Sequence, residues 1–217
     1  MAGTGVGINL DQIGDRSHLK FHRDVIINPR AANDAIVVAS VDPTGVALGA
    51  TFTLLSTASF AWARRVNMTI TDAVFASALT VTVRVTGIRF GRVQSEVLTA
   101  TSTSTSPVVV SSTLVYDQVT SIVLTDKTNA AAGDAVKFGI DGAVLGLTKP
   151  IVKVSDVKLI VKVAAGTEGA PTAVSSSSVD ATWSAIKGLT IAATDVYIVE
   201  YAMHGEDGML DGGRNAD

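Results

Sequence analysis

Between residues 36 and 201 apolar and polar positions repeatedly alternate with a period of two, the pattern of strands with one face on a core and one on water. The clearest run is Leu79-Thr80-Val81-Thr82-Val83-Arg84-Val85-Thr86, apolar at every second position with β-branched residues filling nearly all the others. Val66, Met68 and Ile70 alternate with Asn67, Thr69 and Thr71, while Val136, Phe138 and Ile140 share one face of the run at 135–140. Val157, Leu159, Val161 and Val163 alternate with Lys158, Ile160 and Lys162, and outward lysines on such a strand discourage edge-to-edge aggregation. Further runs at 36–41, 51–55, 93–99, 108–116, 119–124 and 196–201 complete the set. The interior these patterns predict contains Val81, Val83, Val85, Val136, Phe138, Leu159, Val161 and Ile198.

Turn chemistry separates the runs. Asp42-Pro43-Thr44-Gly45 has the residue order of a type I turn, Gly87 and Gly91 bracket a turn-rich stretch, and the Thr/Ser segment at 99–106 reads as an exposed loop or strand edge. One helical turn is predicted over 180–187, with Asp180 as cap and Gly188 as stop. About ten strands at intervals of roughly 10 to 15 residues, without helices of crossover length, predict an all-β fold: an antiparallel β-sandwich or barrel, jelly-roll-like. That domain is expected to span 35–203. Residues 1–34 show neither period, carry mixed charge with isolated hydrophobes, and contain Gly3, Gly5, Gly7 and Asn28-Pro29, so they read as an extended N-terminal arm that orders on a neighbour. Deleting residues 2–30 is then expected to leave the thermal melt of the β domain nearly unchanged. Residues 204–217 form an acidic, glycine-rich tail.

Composition narrows the class of partner. The 217 residues include no cysteine, 47% are hydrophobic and 17% charged, with net charge -3, which fits a folded domain and excludes a disordered polyelectrolyte, a disulfide scaffold and a collagen-like fibre. The 17 lysines and arginines are scattered and outnumbered by 20 acidic residues, which argues against direct nucleic-acid binding. No apolar stretch of about 18 residues exists to span a membrane as a helix, and residues 1–7 lack the basic and apolar regions of a secretory signal. Assembly in a cytoplasm is the expectation.

Candidate chemistry is sparse. The histidines are His18, His22 and His204, all in the expected arm or tail, where a nucleophilic site would lack the rigidity it requires. His18 and His22 with Asp15 could face one way on a helix as a metal cluster, but contacts with a partner or water suit them better. Asp126, Asp134 and Asp141 lie in turn regions without a dense calcium-loop pattern, so a turn role is expected. Trp62 and Trp183 read as core or interface anchors ahead of sugar-stacking platforms. The expectation is a non-enzyme with no catalytic residues, cofactor or metal.

The order of segments Val66 to Asp72, Thr80 to Gly87, Gln94 to Glu96, Val119 to Leu124, Gly133 to Ile140 and Leu145 to Pro150 resembles β-rich virion proteins of tailed bacteriophages, of the capsid decoration or cement type. The resemblance covers about residues 64–151, and the run from Asp195 to Tyr201 is similar in flavour. It implies a structural virion protein on the capsid exterior, bound to the major capsid protein as a homotrimer near local threefold axes and bridging capsomers. A tail or fibre-associated adhesin and a head-to-tail or neck component are the alternatives. Arg16, Lys20, Arg23 and Arg30 are the candidates for pairing with capsid carboxylates, and Leu19 and Phe21 are the candidate apolar anchors. Arg89 and Phe90, in the basic and hydrophobic stretch 88–92, are the second candidate contact.

Overall fold

The computed structural model describes residues 20–164 and 166–203. Its strands are β1 (Lys20–Ile27), β2 (Asn33–Val41), β3 (Ser59–Thr71), β4 (Thr80–Arg89), β5 (Arg92–Thr101), β6 (Val108–Thr128), β7 (Ala135–Ile140), β8 (Leu145–Gly146), β9 (Val157–Ala164), β10 (Thr167–Glu168), β11 (Val179–Asp180), β12 (Ala185–Ile186) and β13 (Val196–Met203). All pair antiparallel, in three sheets ordered β2-β7-β3-β6-β4-β5, β1-β13-β9-β10 and β11-β12-β8. The fold is the all-β sandwich that the alternating pattern predicts.

The six-stranded sheet turns back on itself through β6. The first half of that strand pairs with β3 and the second half with β4, the two runs expected at 108–116 and 119–124 being one continuous strand. The bend lies at 112–114, where pairing slips against β3, and polar side chains take up the backbone groups it frees. The Ser112 hydroxyl accepts from Val66 N (2.9 Å) and donates to Leu114 O (2.7 Å), while the Glu96 carboxylate accepts from Thr113 N (3.0 Å) and Leu114 N (3.1 Å). Gly87 is required opposite: a Cβ there would overlap the Tyr116 ring and the Gln118 carbonyl. The two halves enclose one core, with Met68, Ile70, Val136 and Phe138 from one side meeting Val81, Val83, Val85 and Ile122 from the other. The strand expected at 51–55 reduces to a bridge between Thr51 and Val123. Its Phe52 N donates to Ile122 O, and its ring tilts on Phe138 at 5.2 Å.

A second core lies between the four-stranded and three-stranded sheets, built from Ile26, Leu145, Leu147, Ile160, Ile186, Tyr197, Val199 and their neighbours. Here several expectations change. Residues 20–27, read as part of the arm, form an edge strand in register with β13 from Lys20 opposite Met203 to Ile27 opposite Val196. The period of two is present in β1, but its inward face is His22, Asp24 and Ile26, and the two polar residues hide it. Within β13 the buried face is opposite to expectation: Tyr197 and Val199 line this core and Ile198 is half-buried on the other face, while in β9 Val161 is buried as expected but Leu159 is half-buried and Ile160 lines this core. Both faces of these strands are apolar, so alternation cannot choose between them. The helical turn expected at 180–187 is a β11–β12 hairpin, because Val179 and Ile186 pair and are both buried. Ser184 in that hairpin has φ 48.

Candidate binding surfaces

Asp24, on the inner face of β1, is a buried acid, 3% exposed. One carboxylate oxygen accepts from Thr148 N (2.8 Å) and the Tyr201 hydroxyl (2.9 Å), and the other from the Thr148 hydroxyl (2.5 Å). His22 Nε2 lies 3.1 Å from that second oxygen and 3.1 Å from the Thr148 hydroxyl. Burial pushes the Tyr201 phenol up and Asp24 beside it adds to the rise, so the hydroxyl stays protonated and donates. An acid-histidine-hydroxyl relay needs the imidazole between acid and hydroxyl, one ring nitrogen to each. Here the acid bonds the hydroxyl directly and one nitrogen faces both, an arrangement that ties β1 to the segment after β8. Sequence reasoning missed this group because His22 and Asp24 were assigned to the arm.

Arg89 ends β4 and Phe90 follows it. Phe90 (φ 50) and Gly91 (φ 74) form the two-residue turn into β5, both left-handed as such hairpins require. Arg89 is 6% exposed: its guanidinium reaches the Asp117 carboxylate (2.7 Å), Leu147 O (2.7 Å) and Ser184 O (3.1 Å), and stacks 3.7 Å over the Phe90 ring. Burial lowers its pKa against the opposing pull of Asp117. As a contact residue Arg89 is therefore corrected: its cation is spent joining the six-stranded sheet to the second core. Phe90 remains exposed at the turn. Arg64, also buried, donates to the carbonyls of Arg30 and Asp141, and burial pushes its guanidinium down to about 10.

Trp62 separates two hollows along this junction, of about 320 and 310 Å³. Arg30 and Phe60 line the first, and Phe90, Asp117 and Thr148 the second. Phe21 and Arg23 stand elsewhere, on the outer face of the four-stranded sheet. Phe21 is 72% exposed, Val25 42% and Ile27 59%, and across the register lie the half-buried Val196, Ile198, Leu159 and Val163, with Val161 buried opposite Ile198. Arg23 meets Glu200 at 3.5 Å within this apolar field. Lys20 opens β1; Arg16 and Leu19 lie outside the described residues, as do His18, Asp15 and His204. Among the described residues no cluster of three or more metal-ligating side chains occurs. Asp134 serves its turn, accepting from Ala131 N (2.7 Å) and Ala73 N (2.9 Å).

Compared with protein-family models, curated proteins and solved structures, the chain matches none. The reading of its role therefore rests on its own surfaces.

Proposed function

We propose that this chain is a structural protein of a tailed-phage virion that decorates and cements the capsid, seating the outer face of the four-stranded sheet on the major capsid protein. The observation that carries this reading is the apolar field of Phe21, Val25, Ile27, Val196 and Ile198 on that face, broken by the Arg23–Glu200 pair. An apolar patch rimmed by polar groups marks a protein interface, and a rigid sheet presents it without ordering cost. The chain acts on the capsid exterior, as a homotrimer bridging capsomers. The test is co-sedimentation with capsids assembled from the major capsid protein alone. Wild-type protein binds, and Val25→Glu and Ile198→Glu each weaken binding about tenfold or more while the melt stays close to wild type. Full occupancy by both variants defeats the reading.

The adhesin alternative has its own support in Trp62, set between two hollows with Asp117 and Thr148 beside it. Glycan-array binding that is abolished by Trp62→Ala would favour it.

A further inference from the structure

The six-stranded sheet has two edges, and they are treated differently. Strand β2 pairs with β7 at three separated points with register shifts between them, and it is flanked by the 3₁₀ turn Ser56–Ala58, where Leu55 N donates to Val37 O. Strand β5 pairs with β4 over ten consecutive positions, from Thr80 opposite Thr101 to Arg89 opposite Arg92, without a shift. It contains no proline and no bulge, and among the described residues no backbone group bonds to its free side. Its outward face carries Val93, 73% exposed, and Val97, 55% exposed. A long, straight, apolar edge is a template for another strand, and proteins that remain monomeric ordinarily blunt it.

We propose that β5 is a self-association edge: two copies join β5 to β5 antiparallel about a twofold axis at Ser95, fusing their sheets. The side chains select a second copy and this register. With Ser95 opposite the partner's Ser95, Val93 lies opposite the partner's Val97 on the outward face, so the most exposed apolar residues of the strand cover one another. On the inward face Gln94 lies opposite the partner's Glu96 and Arg92 diagonal to it, so no like charges stand directly opposite across this register. An axis at Glu96 would set the two Glu96 carboxylates face to face, and an axis at Val97 would leave Val93 opposite the partner's Thr101. The inward side chains of β5 are already fixed for pairing: Gln94 donates to Val115 O (2.6 Å), and Glu96 holds the bend of β6. The contact uses neither β1 nor the outer face of the four-stranded sheet, so it stands apart from the capsid reading and from threefold association.

The chain has no cysteine, so a single introduced thiol reports the axis. Ser95→Cys, Val97→Cys and Val109→Cys are oxidised in full-length protein at about 100 µM, with a melt recorded for each. Val109 is an exposed β6 residue away from the edge and serves as the control. Ser95→Cys is expected to give a disulfide-linked dimer at least about tenfold faster than either other variant, since directly opposed Cβ atoms in an antiparallel pair approach disulfide spacing. In sedimentation, Val93→Lys with Val97→Lys should raise the self-association constant for dissociation at least about tenfold with an unchanged melt. Equal crosslinking of all three variants overturns the proposal, and faster crosslinking at Val97 overturns the Ser95 axis. A wild-type protein that stays monomeric at this concentration, or association that vanishes when residues 2–19 are deleted, overturns the second copy as occupant.

Discussion

The two cores are built by different means. The core inside the six-stranded sheet is closed almost wholly by alternating aliphatic residues, with Val81, Val83, Val85, Val136 and Phe138 fully buried. The second core is smaller and has carboxylates and phenols built into its margin. Asp24 is bonded to Tyr201 and Thr148, and Asp195 to Lys162 (2.8 Å) and Ala192 N (2.7 Å), with the Tyr197 hydroxyl 3.3 Å away. Both cores carry a buried acid at the margin, Asp72 in the large one, but in the thin one hydrogen bonds to such acids also fix which face of each strand turns inward.

The largest effect that could break this comparison comes from removing β1. Deleting residues 2–30 takes away Ile26 and leaves Tyr201 and Thr148 without Asp24, so the four-stranded sheet is expected to unfold in a separate, earlier thermal transition. Deleting residues 2–19 should spare it. This reverses the expectation from sequence, and calorimetry of the two truncations decides it: a shared, unshifted melt would mean β1 adds nothing to the second core. Phe138→Ala, in the aliphatic core, should cost about 3–5 kcal/mol by chemical denaturation, through lost packing and a cavity. Asp24→Ala should cost about 2 kcal/mol, because the buried Tyr201 hydroxyl and two donors of Thr148 lose their acceptor. A cost near zero would make the network incidental.

Acid sharpens the contrast with smaller effects. Burial opposes ionisation of both Asp72 and Asp195, yet hydrogen bonds prevail. Ser102, Phe75 N and Leu79 N hold Asp72 below the usual carboxylate range, and Lys162 and Ala192 N do the same for Asp195. A lowered folded-state pKa gives stability that is present above the unfolded value of about 4 and is lost as pH falls through the folded one. Both cores should therefore hold down to about pH 4 and weaken below it, and Asp72→Asn and Asp195→Asn should flatten that dependence in denaturation curves recorded from pH 2 to 7. Asp141 has the opposite sign: burial raises it, so its contribution is lost as pH rises through its folded value. The smallest effect is expected at the exposed Arg23–Glu200 pair, where Arg23→Ala should change stability by less than about 1 kcal/mol.

The same contrast marks what could be read from sequence. Strands β3, β4 and β7 were legible because one face is aliphatic and the other carries threonine, asparagine or lysine. Strands β9 and β13 were found, but the inner face of β13 was not, since Val196 and Ile198 look as fit for a core as Tyr197 and Val199. What decides is the reach of the tyrosine hydroxyls to Thr190 O and Asp24, which no periodicity contains. Strand β1 was hidden because its inward positions hold His22 and Asp24. Phe21, Arg23, Arg30 and Phe90 are exposed, whereas Arg89 looked like a surface cation and is buried at a junction of elements 58 and 95 positions away along the chain.

The bend in β6 also governs time. One strand is hydrogen-bonded to β3 in its first half and to β4 in its second, so the two halves of the six-stranded sheet can close on their shared core only once the bend has set them face to face. Pairings of such long sequence separation are slow to find, on the order of milliseconds to seconds. Refolding of this sheet should therefore follow a single slow phase, and substitutions at the bend, such as Ser112→Ala, should lengthen it more than equal-cost substitutions in β2.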